Sequence, residues 1–537
     1  MQRRMHTQLL LTGMGCFLFA CTASLINVLF FPFARELYGY PATIFFAAFA
    51  LALCVFYVLG KALRRRDEAT LERVVKIAVP AFLLILFVLH LLLGYMMAYT
   101  PAGDNRALIE GAGLLAADGN FDANPNYYLY MSRYSNQWGF LLILTALFKL
   151  FCMIGLTDFL FPLVVLQALL YIAGMWATLS IARMLRGSRG VLVMIAVLTF
   201  CLPLYLAAAV LYTDTFSLPF IMLTLYFALK TTAIESSSRQ INALVTALFA
   251  LLGSQVKMTV LIALIAAWIV WMLVLRMREA IICCTISAVI VIGGILGIQG
   301  FMTSRVLDPE MIAQHHTPAI HWVMMSIPTS DNPYGGFSYD YAITWGMMDE
   351  GASHEEVMTS IYSRMKDRIY TLRYPNRLIL ATLRKNSAII GDGTFGMTET
   401  LDDDPKRFNT VSSFVLSFGR HYRLYSAVCT GIFMAHMVFA ALGCLHDIRA
   451  RDTHLAMLYV SMFGILLFLM FWEARSRYMF GFVPVLLLLS CAQIARDKEE
   501  KNEVQEKSSP AGHVADDPLL SVHGGQPAPC AVDAVRS

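Results

Sequence analysis

The sequence predicts an all-α integral membrane protein that crosses the bilayer about twelve times. Its 537 residues are 58% hydrophobic and only 15% charged, with a mean hydropathy of +0.62, whereas soluble domains average about 45–50% apolar and about 25% charged residues. The apolar residues form blocks of roughly 17–25 residues, the length at which a helix crosses about 30 Å of hydrocarbon. The blocks lack the alternation of polar and apolar residues that membrane β-strands require, so the predicted spans are helices.

The cysteines and the net charge exclude two other classes of protein. Most of the 11 cysteines lie inside apolar blocks and no CxxC pair occurs. This pattern is typical of small membrane-compatible side chains rather than of a disulfide scaffold. The net charge of +4 is small, and the basic residues are concentrated in short loops. The charge therefore reflects membrane topology, and the sequence predicts no nucleic-acid partner.

The basic residues predict which loops lie in the cytoplasm. The first apolar block, at about 9–31, follows basic residues and is longer than the apolar part of a signal peptide, so we expect a retained helix with a cytoplasmic N-terminus. Residues 61–66 are rich in lysine and arginine and mark the cytoplasmic end of the second helix. Residues 99–137 carry only two basic residues and are then the first substantial outer loop.

The apolar segment at about 138–155 decides the remaining topology. If it crossed the membrane, the loop that contains Arg183, Arg186 and Arg189 would lie outside, against the positive-inside rule. If the segment is instead a juxtamembrane or re-entrant helix, these arginines lie inside and the later short loops obey the rule, apart from those that contain Lys257 and the pair Arg475 and Arg477. We therefore predict about twelve spans and one partial helix. The spans lie at about 9–31, 41–60, 76–99, 159–182, 190–210, 215–231, 240–254, 258–275, 280–301, 424–444, 455–472 and 478–495.

This count predicts four regions. They are an N-terminal transmembrane region (1–301, including the outer loop 99–137), a large extracytoplasmic loop (302–422), three C-terminal transmembrane helices (423–495) and a disordered cytoplasmic tail (496–537). We expect a multi-pass protein of the cell (plasma) membrane. We find no internal repeat.

Two aspartates stand at predicted outer helix ends. Asp104 lies before a short amphipathic helix in the first outer loop, where it either caps that helix or serves as a general base at the membrane boundary. Asp214, in Tyr212-Thr-Asp-Thr between two spans, is uncommon at such a position without a role. Capping by Thr213 or Asp214 is the alternative interpretation.

Three basic residues are predicted on the outer side, against the positive-inside rule. Arg475 and Arg477 lie between the last two spans, and Lys257 lies at the outer edge of two others. Either these side chains snorkel to the surface, or they clamp an anionic head group, since guanidinium groups bind phosphate oxygens in a bidentate manner.

Further outer residues are aromatic, amide or histidine side chains. Asn136 and Gln137 follow several tyrosines that are typical of an interfacial anchoring belt, but the amides are more polar than a belt requires. Histidines 315, 316 and 321 have no nearby cysteine and are interpreted as surface residues, so the sequence predicts no metal site. A divalent-cation cofactor stays open.

Together, these motifs resemble the GT-C superfamily of membrane glycosyltransferases, in particular the protein-mannosyltransferase and aminoarabinose-transferase type (glycosyltransferase family 39-like) of bacterial envelopes. The resemblance extends from about residue 80 to 495. It is carried by Gly103-Asp104-Asn105, Tyr134-Ser-Asn136-Gln137-Trp-Gly-Phe (with serine in place of the usual proline), Tyr212-Thr-Asp214, Asn386 with Gly391-Asp-Gly393-Thr-Phe, and Glu473-Ala-Arg475-Ser-Arg477-Tyr478.

The resemblance implies a GT-C-like helical bundle and a polyprenyl-phosphate sugar donor, with transfer to an envelope glycan, lipid or protein at the outer face. It implies that Asp104 deprotonates the acceptor and that Asp214 supports this base or positions the acceptor. Lys257, Arg475 and Arg477 would then neutralise the leaving phosphate, with Tyr478, Asn136 and Gln137 also contacting substrate. It also implies that the large loop shapes the acceptor groove. The first two helices exceed the family's minimal pattern.

Two other functions share this topology. A transporter or flippase of lipid-linked envelope precursors commonly shows internal repeats or charged residues at mid-membrane, whereas the polar residues here cluster at outer helix ends. A non-catalytic envelope-glycan assembly protein is the third interpretation.

Overall fold

The computed structural model describes residues 2–233, 238–402 and 404–496. Within these ranges the chain is helical, and its only β-type pairing is an isolated bridge between Tyr99 and Pro405. The predicted disordered tail, apart from Arg496, lies outside the described residues.

The helices before the large loop are listed here in chain order. They are α1 (Gln2–Phe30), α2 (Phe33–Tyr38), α3 (Ala42–Leu63), α4 (Glu68–Met96), α5 (Gly103–Ala117), α6 (Pro125–Arg133), α7 (Trp138–Met153), α8 (Leu160–Phe200), α9 (Thr213–Thr232), α10 (Arg239–Val256), α11 (Val260–Val274) and α12 (Met277–Arg305).

The remaining helices form the large loop and the C-terminal part of the bundle. The loop contains α13 (Pro309–His315), α14 (Ala319–Met325), α15 (Asp340–Asp349), α16 (His354–Thr371), α17 (Pro375–Ile390), α18 (Met397–Leu401) and α19 (Thr410–Val415). The bundle ends with α20 (Tyr422–Ala450), α21 (Ala456–Phe471), the 3-10 segment Ser476–Phe482 and α22 (Val483–Ile494).

Eight helical stretches of the described chain are long and apolar enough to cross a membrane. They are Arg4–Phe30, Ala42–Leu63, Glu68–Met96, Ser135–Met153, Leu160–Phe200, Met277–Arg305, Tyr422–Ala450 and Ser476–Ile494. Helices α11 and α21 are apolar but shorter. The prediction of an all-helical multi-pass membrane protein is thus confirmed, whereas the count of about twelve spans stays a prediction.

The two ends of the bundle are defined by the antiparallel helices α4 and α8. Val164, near the start of α8, packs against Gly94 near the end of α4. At the opposite ends of the same helices, Arg183 pairs with Glu72 at 2.6 Å. We call the end at Gly94 and Val164 the upper end, and the end at Glu72 and Arg183 the lower end.

Helix α8 contains a sharp reversal at the lower end, where the sequence predicts a loop between two spans. Arg186 (φ −144°, ψ 25°) and Gly187 (φ 58°, ψ −151°) are not helical. After this break the chain turns back, so that Gly190 lies against the carbonyl oxygen of Ala182. Because the backbone dihedrals of Gly187 lie in a region open essentially only to glycine, this residue permits the reversal.

Replacing Gly187 with alanine is therefore expected to destabilise the protein by roughly 1–3 kcal/mol. An added Cβ would also lie 3.0 Å from Oε1 of Glu68. The matched control is Gly293→Ala in α12, where a Cβ meets no atom within 4 Å and where alanine is the better helix former. Thermal unfolding in detergent should show a lower midpoint for Gly187→Ala alone. Equal midpoints for the two variants would contradict the assignment.

A buried segment without α-helix, which includes the 3-10 helix Leu202–Leu206, leads from α8 back to the upper end. Residues 201–212 are mostly buried, and backbone groups at membrane depth need hydrogen-bond partners because lipid offers none. Nε2 of His90 contacts the carbonyl oxygen of Leu204 at 3.1 Å, and Nε2 of Gln167 donates to that of Ala207 at 2.7 Å. These side chains fix the segment that delivers Asp214 to the upper end.

Helix α7, within the segment predicted to be juxtamembrane or re-entrant, has both ends at the upper end. At its start, Phe140 lies 5.1 Å (ring centroids) from Phe216 in the first turn of α9. Near its end, Phe148 stacks at 4.3 Å on Phe159, which directly precedes α8. Although α7 is long and apolar enough to cross, these contacts favour the arrangement in which it does not.

The large loop is folded rather than extended. It has its own small core, formed by Met324, Met348, Val357 and Ile361. Asp340 accepts hydrogen bonds from Arg368 at 2.6 Å and 2.7 Å. The interpretation of the three histidines as surface residues is wrong for His315 and His321, which are buried; His321 lies 3.0 Å from the hydroxyl of Thr344. The pattern of hydrophobic residues did not reveal this loop core because its residues are far apart in sequence.

Candidate functional site

Four of the charged residues singled out in the sequence meet at the upper end. Asp104 comes from the first turn of α5, Asp214 from the first turn of α9, and Lys257 from the connection between α10 and α11. Arg477 comes from the 3-10 segment that precedes α22. Residues distant in sequence are thus brought together by the fold.

Asp214 and Lys257 form a buried ion pair at the centre of this cluster. The Lys257 ammonium group donates a hydrogen bond to Oδ1 of Asp214, and their side chains are 15% and 3% exposed, respectively. Burial lowers the pKa of Lys257, and the charge of Asp214 acts against this shift. Separating the two groups would leave a buried charge without a partner, which costs free energy. The ion pair is therefore a permanent part of the site.

Asp104 is linked to the cluster by a tyrosine. The hydroxyl of Tyr212 donates a hydrogen bond to Oδ2 of Asp104 at 2.9 Å. Tyr212 is the N-cap residue of α9, two positions before Asp214. The carboxylate also influences Tyr134, whose pKa is raised first by burial and then by the charge of Asp104.

The helix-capping interpretations of both aspartates are wrong. Helix α5 has Ala102 as its N-cap and α9 has Tyr212, and neither helix has a side-chain cap. Each helix therefore begins before the position that the sequence analysis assumed. Both carboxylates lie in a first turn, where the helix dipole favours negative charge.

Arg477 is the basic residue of the cluster with unfilled hydrogen-bonding capacity. Its Nε is buried and has no hydrogen-bond partner among the described residues. It lies 3.7 Å from Oδ2 of Asp214, an ion-pair distance, and this oxygen likewise accepts no hydrogen bond there. The guanidinium carbon is 5.2 Å from the ring centroid of Tyr212 and 5.5 Å from that of Tyr478. Because the side chain is packed among these groups, it does not snorkel to the surface.

Arg475 lies close by, but its charge is already balanced. It donates to Oε1 of Glu473 at 2.6 Å and to Oε2 of Glu399 at 2.7 Å. Glu473 is buried. Two carboxylates thus compete with any anionic ligand for this guanidinium group, which makes Arg475 a weaker phosphate-binding candidate than Arg477 or Lys257.

Tyr478 contacts both Glu473, which pairs with Arg475, and Lys257, which pairs with Asp214. Its hydroxyl donates to Oε2 of Glu473 at 3.0 Å, and the Lys257 ammonium lies 4.3 Å from its ring centroid. The ring therefore supports the ammonium group through a cation–π contact.

The turn of residues 391–396 holds Arg477 in place, a role that the sequence analysis did not identify. Asp392 is buried and accepts hydrogen bonds from the backbone nitrogen of Gly396 at 2.9 Å and from the hydroxyl of Ser476 at 2.7 Å. Gly396 has φ 62°, and a Cβ there would lie 3.0 Å from that of Arg477. The Gly-Asp-Gly spacing is the sequence signal that could have revealed this turn.

Asn136 and Gln137 are less closely connected. Asn136 is exposed, whereas Gln137 is buried with its Oε1 unpartnered. Within the part of the chain that the structure describes, no hydrogen bond joins either amide to the charged cluster. Their predicted contacts with substrate stay predictions.

Aromatic rings extend from Asp104 into the large loop. Tyr134 lies 4.6 Å from Tyr130, 5.8 Å from Trp345 and 6.1 Å from Trp322 (ring centroids). Trp322 lies 6.4 Å from Trp472, next to Glu473. These rings face one another between the first outer loop and the large loop, unlike an anchoring belt that faces lipid.

Lys385 of α17 is a buried cation that the sequence analysis missed. It is 3% exposed, and its ammonium group donates to the carbonyl oxygen of Ser326 at 2.8 Å. Burial lowers its pKa to about 7. No local sequence pattern distinguishes this lysine from the surface lysines of the loop.

The lowered pKa of Lys385 makes stability depend on pH. Between about pH 7 and roughly 10 the unfolded chain binds one more proton than the folded chain, so stability rises with pH there, by up to about 1.4 kcal/mol per pH unit. Below pH 7 both states are protonated and this dependence ends. Melting in detergent from pH 7 to 9 should show the rise in wild type and in Lys366→Met, a control at an exposed lysine. An unchanged pH dependence in Lys385→Met would contradict this account.

The arrangement of donor side chains bears on metal binding. In the described ranges, no group of three or more His, Cys, Asp and Glu side chains is placed to hold a metal ion. The charged cluster itself combines two carboxylates with two cations.

Comparison with known proteins places the chain in a family. No curated protein matches it. A similar solved structure is that of ArnT from Cupriavidus metallidurans bound to undecaprenyl phosphate, with 13% identity, 77% of each chain covered and a TM-score of 0.33, a likeness too distant to bear on function. Residues 10–497 match the model of a family described as "conserved hypothetical integral membrane protein". The chain therefore belongs to this family of integral membrane proteins.

Proposed function

We propose that the protein transfers a sugar from a polyprenyl-phosphate-linked monosaccharide to an envelope glycan, lipid or protein at the outer face of the plasma membrane. One observation carries the proposal: the carboxylate of Asp104 and the unsatisfied guanidinium of Arg477 both contact Tyr212 at one end of the bundle. A base and an anion-binding group are the two functions that this transfer requires. The motif resemblance to GT-C glycosyltransferases supports the same chemistry.

Asp104 acts as general base in this proposal. It removes the proton of the acceptor hydroxyl while the hydroxyl oxygen forms a bond to the anomeric carbon of the donor. The bond between that carbon and the phosphate oxygen breaks, and its electron pair leaves with the polyprenyl phosphate. Attack opposite the leaving group inverts the anomeric configuration. The hydrogen bond from Tyr212 orients the carboxylate.

Arg477 and Lys257 act on the leaving phosphate. Negative charge grows on this group as the bond breaks, and cations fixed in a buried site stabilise it more than they would in water. Arg477 has free donors for a phosphate oxygen. Asp214 is a positioning residue, because it holds the ammonium of Lys257 and lies beside Arg477.

The aromatic rings that extend from Asp104 into the large loop could pack against a saccharide. The flat faces of Tyr and Trp pack against apolar surfaces while their polar atoms remain available for hydrogen bonds. Tyr134, Trp322 and Trp345 lie between the two outer loops, where an acceptor sugar would approach Asp104. A transporter or flippase and a non-catalytic assembly protein remain the alternatives, and neither requires a base beside an anion site.

Release of polyprenyl phosphate distinguishes these functions. Purified protein in lipid nanodiscs would be given polyprenyl-phosphate monosaccharides together with a crude envelope fraction as acceptor. We expect free polyprenyl phosphate to appear only when donor and acceptor are both present. A flippase would instead move the donor across the membrane of sealed vesicles without releasing polyprenyl phosphate. No release with any donor, combined with such movement, would reject the transferase.

A further inference from the structure

Apolar side chains are exposed at the corner where α16 meets α17, on the surface of the large loop. We call residues 369–380 the α16–α17 corner. Its large exposed residues are Ile369 (55% exposed), Tyr370 (62%), Tyr374 (46%), Leu378 (51%) and Ile379 (60%). Contiguous apolar patches of this kind are uncommon on surfaces that face only water.

Two arginines lie among these apolar residues. The guanidinium carbon of Arg373 is 3.5 Å from the ring centroid of Tyr370 and 4.5 Å from that of Tyr374, and the guanidinium carbon of Arg377 is 5.3 Å from that of Tyr374. Both arginines are exposed, and residues 369–380 contain no acidic residue. The corner therefore combines aliphatic, tyrosine and cationic side chains on one exposed surface.

Contacts between α17 and α1 show where the corner lies relative to the membrane. Nδ2 of Asn27 donates to the carbonyl oxygen of Leu383 at 2.8 Å, and Nδ2 of Asn386 donates to the hydroxyl of Ser24 at 2.8 Å. Since the two contacts occur in opposite order along the two helices, α17 runs antiparallel to α1. The start of α17 therefore extends in the same direction as the end of α1.

The level of the corner follows from the helical rise of about 1.5 Å per residue. Phe30 lies three residues beyond Asn27, and Ile379 lies four residues before Leu383, so they are roughly 4.5 Å and roughly 6 Å, respectively, above the same contact. Phe30 is 76% exposed at the end of a candidate membrane span. Ile379 and Leu378 thus lie at the level of the exposed end of α1. Pro375, the first residue of α17, lies about two turns above Leu383, and Arg373 precedes it.

We propose that the α16–α17 corner inserts its apolar side chains into the outer leaflet and binds the phosphates of anionic phospholipids through Arg373 and Arg377. Tyrosine and arginine beside aliphatic residues are typical of the interfacial zone. Each arginine or lysine near an anionic membrane surface strengthens binding to that surface roughly fivefold. The inference is independent of the proposed sugar transfer. A protein partner or a second copy of the chain would fit less well, because the patch lies at the level of Phe30, which is exposed at the end of a candidate membrane span.

Depth can be measured with a fluorophore at position 379. Ile379→Cys would be labelled with nitrobenzoxadiazole after replacement of the exposed cysteines Cys54 and Cys152, and of Cys530, by serine. The protein would be placed in nanodiscs of phosphatidylcholine and phosphatidylglycerol. Nitroxides on lipid acyl chains should quench this label as strongly as one at Phe30→Cys. A label at Glu355→Cys, at the other end of α16, should stay unquenched.

Lipid preference is measured with head-group nitroxides in the same nanodiscs. Nitroxide-labelled phosphatidylglycerol should quench the label at 379 several-fold more than nitroxide-labelled phosphatidylcholine at equal mole fraction. Arg373→Gln combined with Arg377→Gln should remove this preference, whereas Arg420→Gln, at an exposed arginine elsewhere, should retain it. Acyl quenching at 379 no greater than at 355, or cross-linking between two copies through 379, would overturn membrane insertion. Equal quenching by the two head groups in wild type would overturn the selectivity for anionic lipid.

Discussion

Asp104→Asn is expected to lower the rate of polyprenyl-phosphate release by roughly 10²–10⁴-fold, the usual contribution of a general base. The asparagine side chain keeps the size of aspartate, and its amide oxygen still accepts the hydrogen bond from Tyr212. The variant loses only the ability to take a proton at neutral pH. Expression and thermal stability should therefore stay close to wild type while release is lost.

Two control variants accompany this prediction. Asp118→Asn changes an exposed aspartate at the other end of the same helix, α5, and should leave release unchanged. Tyr212→Phe removes the hydrogen bond that orients Asp104 and should lower release less than Asp104→Asn does, because the base remains. Release at the wild-type rate in Asp104→Asn would end its assignment as the base.

Arg477→Gln is expected to slow release by roughly 10²–10³-fold, the effect of removing one preorganised donor from a developing negative charge. Arg477→Lys should recover part of the rate, since it restores the charge but not the planar fork of donors. The rates are measured under single-turnover conditions, at donor concentrations that saturate the wild-type protein.

Arg475→Gln is the informative comparison for Arg477. Arg475 pairs with Glu473 and Glu399, so its loss leaves the buried carboxylate of Glu473 without its cationic partner and only with the hydrogen bond from Tyr478. We expect a lower melting temperature with a smaller effect on release by the protein that remains folded. If Arg475→Gln slowed release more than Arg477→Gln at equal stability, the phosphate-binding roles would have to be exchanged.

Topology explains why the residues of the site could be predicted. The positive-inside rule, together with the choice that 138–155 does not cross, places Asp104, Asp214 and Lys257 on one side of the membrane. Their meeting at one end of the bundle follows from this order of helices. The roles assigned to them stay predictions.

Side-chain pairing could not be predicted in the same way. The contacts of Arg475 with Glu399 and of Asp392 with Ser476 join residues 76 and 84 positions apart, respectively, and no local pattern records such contacts. The capping errors have a different cause: helix boundaries are uncertain by one or two residues, and here that margin separated a cap from a first-turn carboxylate.

Hydropathy alone does not identify every helix of the bundle. Helices α9 (20 residues) and α10 (18 residues) belong to the bundle and are long enough to cross a membrane, but they are not apolar enough to count as candidate spans. Within α9, the polar residues Asp214, Thr215 and Ser217 are buried against protein rather than lipid. The mean hydropathy of a sequence window does not show whether a helix face packs against protein or against lipid.

Binding of polyprenyl phosphate to the purified protein tests the central claim most directly, because this product carries the phosphate that the cluster is proposed to hold. Wild-type protein and Asp104→Asn should bind it with similar affinity, since Asp104 acts on the acceptor. Arg477→Gln should bind it roughly tenfold or more weakly, the loss expected for a charge-assisted hydrogen bond. Equal binding by all three proteins would contradict the claim that Arg477 holds the donor phosphate.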